Sequence, residues 1–477
     1  MNNHVQLERD IVWQPSKQLI EGANITHFMK KHTLADYNDL LKRAASDPDW
    51  FYPAILEELK IPWIKKYEKI ADFSDGIEFT RWFKGGLTNL YIYGLEKHIE
   101  NGYGERLALI WEGENGSTKT VTFHSLKEET DRLAGALKKI GVKKGDGVGV
   151  FLPQIPEIQP VLFACAKFGA IIIPCFSGFG AESIATRLNA AGAKWLFTAD
   201  GFFRRGKIIH MKKVADQVVK LVPTLEKVIC VNRLRKENIS LDISYHEHDM
   251  LYDELIQLDG ESVDPEPMTS DETLMIIYTS GTTGKPKGTN HTHYSFPLKN
   301  AIDMYFCFDV KPGDRMFWLT DIGWMMGPWH IFGTAILGAT AVMYEGSPDY
   351  PDEYRLFELI EKHKISIFGV APSVIRSLMR KLDAPDTKYD LSSLRILGST
   401  GEPWNPPEWI WYLEKVGQNQ CPIINYSGGT EVSGGILSCV PIKPLKPCSF
   451  HGPAPGMAAA VVNKDGRPVT KNEIGDL

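Results

Sequence analysis

One stretch constrains this chain more than any other. Leu274-Met275-Ile276-Ile277 is a short apolar run entered after the turn-like Thr269-Ser270-Asp271, and it reads as a buried strand. It leads into YTSGTTGKPKGT, Tyr278 to Thr289. Here small and hydroxylated residues take over: Thr279, Ser280, Gly281, Thr282, Thr283 and Gly284, then Lys285 and Lys287 on either side of Pro286. Glycine lets backbone N–H groups approach an anion, because no Cβ intervenes and positive φ is cheap. Hydroxyls add donors that rotate to suit, and lysines add mobile positive charge. Together they make a cradle for a polyphosphate. It is not a Walker A loop, which needs Gly-Lys-[Ser/Thr], because Pro286 follows Gly284-Lys285. A surface linker would explain any one of these residues alone, but not the whole string.

The chain has 477 residues, too many for one ordinary domain and enough to bury several cores. Its charge balance bears on partners. A net charge of −6 gives no support for a nucleic-acid binder, which shows a basic surplus, so a polyanionic ligand must meet locally concentrated positive charge. The seven cysteines are scattered, odd in number and form no Cys-x-x-Cys pair, which fits reduced thiols in a cytosol-like compartment. No segment reaches the roughly 18 apolar residues of a membrane span. Val161 to Phe176 comes nearest and is interrupted by Lys167, Gly169 and Pro174. MNNHVQLERD lacks the apolar core of a secretory signal, so a cytoplasmic location is expected, an organelle being compatible as well. The oligomeric state is left open.

Up to about Gly76 the sequence is polar and punctuated by Trp and Pro, with helical pieces at 37–45 and 53–59; Trp13, Trp50 and Trp63 read as pins onto a larger body. Then strands and helices alternate. Residues 107–111 and 119–123 read as strands across an Asn-Gly turn, and 126–140 as an amphipathic helix closed by Gly141. Strands at 147–152, 170–174 and 194–198 alternate with helices at 158–168 and 183–191. The rhythm continues through a helix at 331–337, a strand at 340–344, a helix at 354–362, a strand at 365–369 and a helix at 374–382. Such alternation argues for an α/β fold of mostly parallel sheets covered by helices on both faces. Residues 231–268 read as a charged surface excursion. His246 and His248 there have no third metal ligand in view, and His291 and His293 suit phosphate-side or packing roles better than zinc. Gly145-Asp146-Gly147-Val148-Gly149 has the wrong spacing for a dinucleotide fingerprint, and its strand follows rather than precedes it.

The string from Tyr278 to Thr289 closely resembles the signature loop of the adenylate-forming superfamily, which contains acyl-CoA synthetases, peptide-synthetase adenylation domains and luciferases. Further landmarks are similar to the acetyl-CoA-synthetase branch: Arg81 to Asn89 (RWFKGGLTN), Thr198-Ala199-Asp200 to Lys207, Trp318 to Pro328, Glu345 to Asp352, Leu394 to Pro403 and Asn425 to Glu431. They run in order from about residue 80 to 475. The resemblance implies layered, mostly parallel sheets with a small β-barrel-like part. Residues 1–80 would be an N-terminal extension packed on a large AMP-binding domain over 81–477. That domain looks truncated near its end, because the Thr-Gly-Asp motif and the small C-terminal domain with its lysine would lie beyond Leu477.

It also implies roles. Thr279 to Lys285 and Lys287 would hold ATP phosphates, and Lys287, Thr430 and Glu431 would carry catalysis, with Glu431 on Mg²⁺, a hard cation suited to oxygen ligands. Gly401, Glu402 and Pro403 would border adenine. The stacking aromatic belongs three residues before the threonine, where the chain has Ser427 with Asn425 and Tyr426 ahead of it. Arg204 and Lys207 would bind coenzyme A, and Trp324, Met325, Met326, Thr400 and Gly428 would line the acyl pocket. Acetyl-CoA synthetases carry a tryptophan where this chain has Gly428. The missing indole leads to an expected short-to-medium carboxylic acid other than acetate, since each methylene buried contributes up to about 0.8 kcal/mol. The implied reaction joins this acid to the α-phosphate of ATP and passes the acyl group to coenzyme A. A ligase that loads a carrier protein, and a non-catalytic nucleotide-binding protein on the same fold, are the alternatives.

Overall fold

The structure, a computed structural model, describes residues 10–279, 286–382, 389–470 and 473–477. Among these, two large sheets dominate. The first has seven strands in the order Asp249–Leu251, Lys227–Val231, Ala193–Ala199, Gly147–Val150, Ile171–Pro174, Thr273–Thr279 and Lys287–Thr292. All its neighbours are parallel except the last pair, an antiparallel hairpin in which Thr279 faces Lys287. The second has nine strands. Its parallel centre runs Ile423–Gly429, Ile396–Ser399, Ile367–Val370, Arg315–Trp318, Thr340–Glu345 and Leu107–Gly113. Antiparallel strands extend both edges: Gly434–Ser438 and Gly452–Pro453 at one, Thr118–Thr122 at the other. No closed barrel accompanies the sheets among the described residues.

The strand sequences explain the layering. Ile171-Ile172-Ile173 and Ile367-Phe368 are apolar on both faces, as parallel strands covered by helices must be. The helices Ile158–Phe168 and Met326–Leu337 are buried along every residue, which amphipathic surface helices never are. The first joins two strands of the seven-stranded sheet, the second two strands of the nine-stranded sheet. Their rings meet where Phe163 approaches Phe332 edge-on at 5.9 Å, so the sheets are held together through this helix pair. Each helix stops at a glycine in the left-handed region, Gly169 and Gly338.

The N-terminal helices Tyr37–Ser46 and Pro48–Glu58 lie against the body. Phe28 meets Phe306 edge-on at 5.0 Å, Trp63 packs on Tyr294 at 5.3 Å, and the backbones at Trp13 and Leu445 pair. The reading of 231–268 as a surface excursion needs correction. Asp249–Leu251 forms a parallel edge strand, and Tyr252 behind it is buried with its hydroxyl donating to Glu129 at 2.9 Å. Charged residues hid a short strand that backbone pairing with Lys227–Val231 places at the sheet edge. No helix among the described residues is long and apolar enough to cross a membrane.

Asn89 explains the Arg81–Asn89 landmark, which on local grounds is only a turn. It is fully buried, and its amide donates to the carbonyls of Ala166 (2.7 Å), Lys167 (3.2 Å) and Glu266 (3.0 Å) while accepting from Tyr91 N at 2.9 Å. One side chain thus ties the end of a buried helix to the segment leading into the Thr273–Thr279 strand. Asn89→Leu keeps the volume and strands these carbonyls. Chemical denaturation should show a loss of about 2–3 kcal/mol, the cost of unsatisfied buried polar groups.

Candidate active site

Six parallel strands of the two sheets end on one side of the molecule, where open α/β sheets bind ligands. Their C-terminal turns supply Phe176 and Ser177, then Leu319 to Asp321, Trp324 to Met326, Gly346, Ala371, Thr400 to Glu402 and Thr430. These residues line one cleft of about 680 Å³. Trp324, Met325, Met326, Thr400, Gly401, Glu402, Gly428, Thr430 and Arg204 all face it. The landmarks are dispersed over more than 200 residues of sequence and converge because each sits at a strand end.

Asp321 holds the two sides of the cleft together. It is 8% exposed and accepts from Ser177 N (3.3 Å), Ser177 Oγ (2.6 Å) and Gly323 N (2.8 Å). Burial pushes its carboxyl up to about 6, against the opposing pull of these donors and of Arg204. Beside it, Phe176 tilts against the exposed Trp324 at 5.5 Å. Sequence reasoning gave no role to Asp321 or Ser177. The available signal was an acidic residue in an aromatic turn directly after an apolar strand.

Arg204 ends the strand Phe202–Arg204, paired with Lys207–Ile209 across an Arg205-Gly206 turn. Glu114 accepts from Arg205 N (2.9 Å) and Gly206 N (2.8 Å), and Asp349 holds the Arg205 guanidinium at 3.0 Å. The turn is therefore pinned by acids, and Arg204 is left facing the cleft. Lys207 lies opposite it, exposed and outside the cleft lining.

Thr430 opens a short 3₁₀ turn at the end of the Ile423–Gly429 strand. Glu431, next in the turn, is exposed and lines a neighbouring cavity of about 510 Å³ with Tyr52, Asn290 and Thr292. Among the described residues its carboxylate has no ion-pair partner. Lys287 is exposed at the start of its strand, opposite Thr279. The expected phosphate contacts of Ser280, Gly281, Thr282, Thr283, Gly284 and Lys285 lie outside the described residues. Glu402 pairs with Arg376, whose guanidinium also donates to Pro403 O at 3.4 Å; the Pro403 ring is not part of the lining.

Several expectations need correction. Tyr426 cannot stack on adenine: its ring is buried against Phe308 and Trp329, and its hydroxyl donates to Asp303 at 2.5 Å. Asn425 is buried too, its amide donating to Ser449 O at 3.3 Å, and neither it nor Ser427 lines the cleft. Gly428 reaches the cleft with its backbone only. A Cβ there would be driven into the Gly434 carbonyl of the adjacent strand and lie 2.8 Å from Gly435 Cα. The glycine serves a close backbone approach at a bulge, so it is not a removed pocket wall. His291 and His293 are buried and kept neutral by burial, His291 hydrogen-bonded to Ser433 Oγ at 3.0 Å and His293 accepting from Leu90 N at 3.3 Å. Both have the packing role, one of the two that the sequence left open for them. His248 does have acidic neighbours, Asp216 and Asp249, but the Lys212 ammonium already bridges both carboxylates.

Residues 95–477 match the family described as AMP-binding enzyme, and residues 37–92 match the acetyl-coenzyme A synthetase N-terminus. The chain belongs to the AMP-binding enzyme family. It is 38% identical over 472 residues to an acetyl-coenzyme A synthetase from Wolinella succinogenes, covering 98% of this chain and 70% of that one. A second acetyl-coenzyme A synthetase, from Chlorobaculum tepidum, is 37% identical over 93% of this chain and 67% of its own length. Among solved structures, acetoacetyl-CoA synthetase from Streptomyces lividans superposes with a TM-score of 0.89 at 27% identity, covering 97% of this chain and 71% of that one. This AMP-binding enzyme is accordingly an AMP-forming acid–CoA ligase, with a carboxylate, ATP and coenzyme A as its small-molecule substrates.

The acetyl-coenzyme A synthetase relatives overturn the expectation of an acid other than acetate. The physical reason for the error is at Gly428. The inference took a missing side chain for empty pocket space, whereas the space a side chain would occupy there is filled by backbone.

Asp321 makes a pH prediction. Its folded value near 6 lies above the unfolded value near 3.8, so its contribution to stability is fully present below about pH 4 and is lost as pH rises through 6. Asp321→Asn preserves the shape and removes the titration. Between pH 7 and 4.5, denaturant titrations should show the wild type gaining about 1–3 kcal/mol relative to the variant.

Proposed function

We propose that this AMP-binding enzyme activates acetate, forming acetyl-adenylate and then acetyl-CoA. The observation that carries the reading is the single cleft in which Arg204, Trp324, Glu402 and Thr430 converge from separate strand ends. The names of the relatives supply the acid. In the first half-reaction an acetate oxygen bonds to the α-phosphorus of ATP as the bond to pyrophosphate breaks. No general base is required, because acetate is ionised at neutral pH. In the second, the thiol of coenzyme A loses its proton to water, its sulfur bonds to the acyl carbon, and the bond from that carbon to the phosphate oxygen breaks to release AMP. Lys287, Thr430 and the Ser280–Lys285 stretch would neutralise and orient the phosphates, the part of such a reaction that preorganised charge serves best.

Glu431 fits a hard cation, being an exposed carboxylate next to Thr430 with no competing ion pair among the described residues. Mg²⁺ bound there would supply charge stabilisation on the phosphates. Arg204, with Lys207 beside it, would meet the phosphates of coenzyme A. Glu402 and Gly401 would border the adenine, and Trp324, Met325, Met326 and Thr400 the acyl group. Residues 1–80 form an extension on the large AMP-binding domain in this reading, and the cytoplasm is the compartment that suits the scattered cysteines.

Three measurements test this in the full-length protein. Carboxylate-dependent ATP–pyrophosphate exchange across two- to eight-carbon acids should be fastest per unit concentration with acetate; silence with acetate beside activity with a longer acid would refute the assignment. Lys287→Ala and Glu431→Gln should each slow acetate-dependent exchange by about 10²-fold, with Tm unchanged, since they remove charge and no core volume. By contrast, Arg204→Ala should raise the KM for coenzyme A about tenfold and leave exchange intact, as loss of one charge-assisted hydrogen bond would.

A further inference from the structure

A second cavity, of about 400 Å³, opens away from the catalytic cleft. Its walls come from the N-terminal helices, from the segment 97–106 after the Asn89 turn, and from the C-terminal end of the helix Met326–Leu337. That helix starts at the catalytic cleft with Met326 and reaches this cavity with Ile336 and Leu337. Its twelve residues separate the two by roughly 15–18 Å.

The cavity is defined by Lys97. The side chain is buried, 6% exposed, yet among the described residues no carboxylate lies within ion-pair distance of it. One of its three N–H donors reaches the Leu59 carbonyl at 3.0 Å, capping the helix Pro48–Glu58. The rest of the ammonium has no protein partner there. The other cations on the wall make matters worse. Lys60 and Arg106 also lack acidic partners among the described residues, and Arg106 is held over the Tyr103 ring at 3.9 Å. His98 cannot help, since its Nε2 donates to Ala335 O at 2.7 Å and the charges of Lys97 and Arg106 add to burial in keeping it neutral. The one carboxylate on the lining, Glu58, is already engaged by Lys31 at 2.9 Å and by the Tyr305 hydroxyl at 3.1 Å. Burial and the nearby Lys60 pull the Lys97 ammonium down to about 7.

An uncompensated buried ammonium is costly, and Lys97 shares its cavity with two further basic side chains, Lys60 and Arg106, that have no acidic partner among the described residues. Carbonyl capping accounts for one hydrogen bond of Lys97 and for neither Lys60 nor Arg106. We propose that this cavity is an anion-binding site separate from the catalytic cleft, in which Lys97, Lys60 and Arg106 take the charged group of a small organic anion. The apolar wall of Val310, Pro312, Ile336 and Leu337 takes its body. The shared chemistry is a carboxylate or phosphate on a short apolar stem, which suits a cavity of about 400 Å³.

The test is thermal unfolding of the full-length protein titrated with succinate and, separately, with n-propyl phosphate, at ionic strength held constant with sodium chloride. A ligand that binds the folded state alone raises Tm saturably. The expected result is a saturable rise with at least one of the two probes; succinate or the phosphate ester acting alone identifies the carboxylate or the phosphate as the source. The apparent Kd should rise at least about tenfold in the double variant Lys60→Gln/Arg106→Gln, whose exposed side chains can change without unfolding the protein. Lys287→Ala, which removes a proposed phosphate contact of the catalytic cleft, should leave the response intact. A response equal in wild type and double variant is a general salt effect and overturns the proposal. So does a response abolished by Lys287→Ala, which places the anion in the catalytic cleft, and so does the absence of any saturable rise with both probes.

Discussion

The Asp321 carboxylate joins the two sheets at the floor of the cleft, beside the packed helices and the Arg233–Glu345 ion pair that also link them. It belongs to the turn after Arg315–Trp318 in one sheet, and two of its three donors belong to Ser177, after Ile171–Pro174 in the other. The approach is close enough to forbid side chains. A Cβ on Gly323 would run into the backbone of Phe176, and one on Gly327 would meet Ile322 Cα at 2.7 Å. Gly323 lets the turn fold onto its partner, Gly327 lets the turn close on itself, and the carboxylate fixes it there. The width of the cleft, and the separation of its Arg204 side from its Trp324 side, follow from this junction. Burying an acid among neutral donors is expensive, which its raised pKa records.

Charge is distributed by the same logic. A protein with a net charge of −6 must keep positive charge available where anions arrive, and acids elsewhere would quench it. In the hairpin that carries Arg204, the acids are spent on its neighbours. Glu114 and Asp349 take the Arg205 amide and guanidinium, and Glu345 holds the buried Arg233 at 2.7 Å. Arg204 alone is presented to the cleft. Three arginines close together in space thus have three different fates, decided by which acid reaches them first.

Much of the fold was legible in the sequence because parallel strands buried on both faces are written as apolar runs, and the intervening helices as period-3.6 patterns. The helix Phe123–Lys139 and the strand Leu107–Gly113 are visible in this way. The cleft was legible because its residues cluster in short strings at strand ends, where Trp324, Thr400 and Thr430 sit. What failed had a common cause. The strand Asp249–Leu251 is recruited by backbone pairing, Asn89 acts on carbonyls 77 and 177 residues away, and Asp321 on an amide 144 residues away. None of these leaves a local pattern.

Gly428 and Tyr426 show how one strand can mislead twice and still make sense. In sequence, a tyrosine near the motif threonine invites stacking, and a glycine invites an open pocket. In the fold, Tyr426 turns inward, its hydroxyl on Asp303, which also accepts from Lys299 and from Gly435 N at 3.0 Å. The ring lies so close to Gly435 that no side chain fits there, and a Cβ on Gly434 would meet the Asp303 carboxylate at 2.6 Å. The strands 423–429 and 434–438 are therefore pressed together at a run of glycines over a buried tyrosine–aspartate pair. The bulge between Ser427 and Gly428 bends the chain at that point. Thr430 is delivered to the cleft and Glu431 to its margin by this bend. The glycines are empty because the backbone must be close, and the tyrosine acts through the strand it anchors.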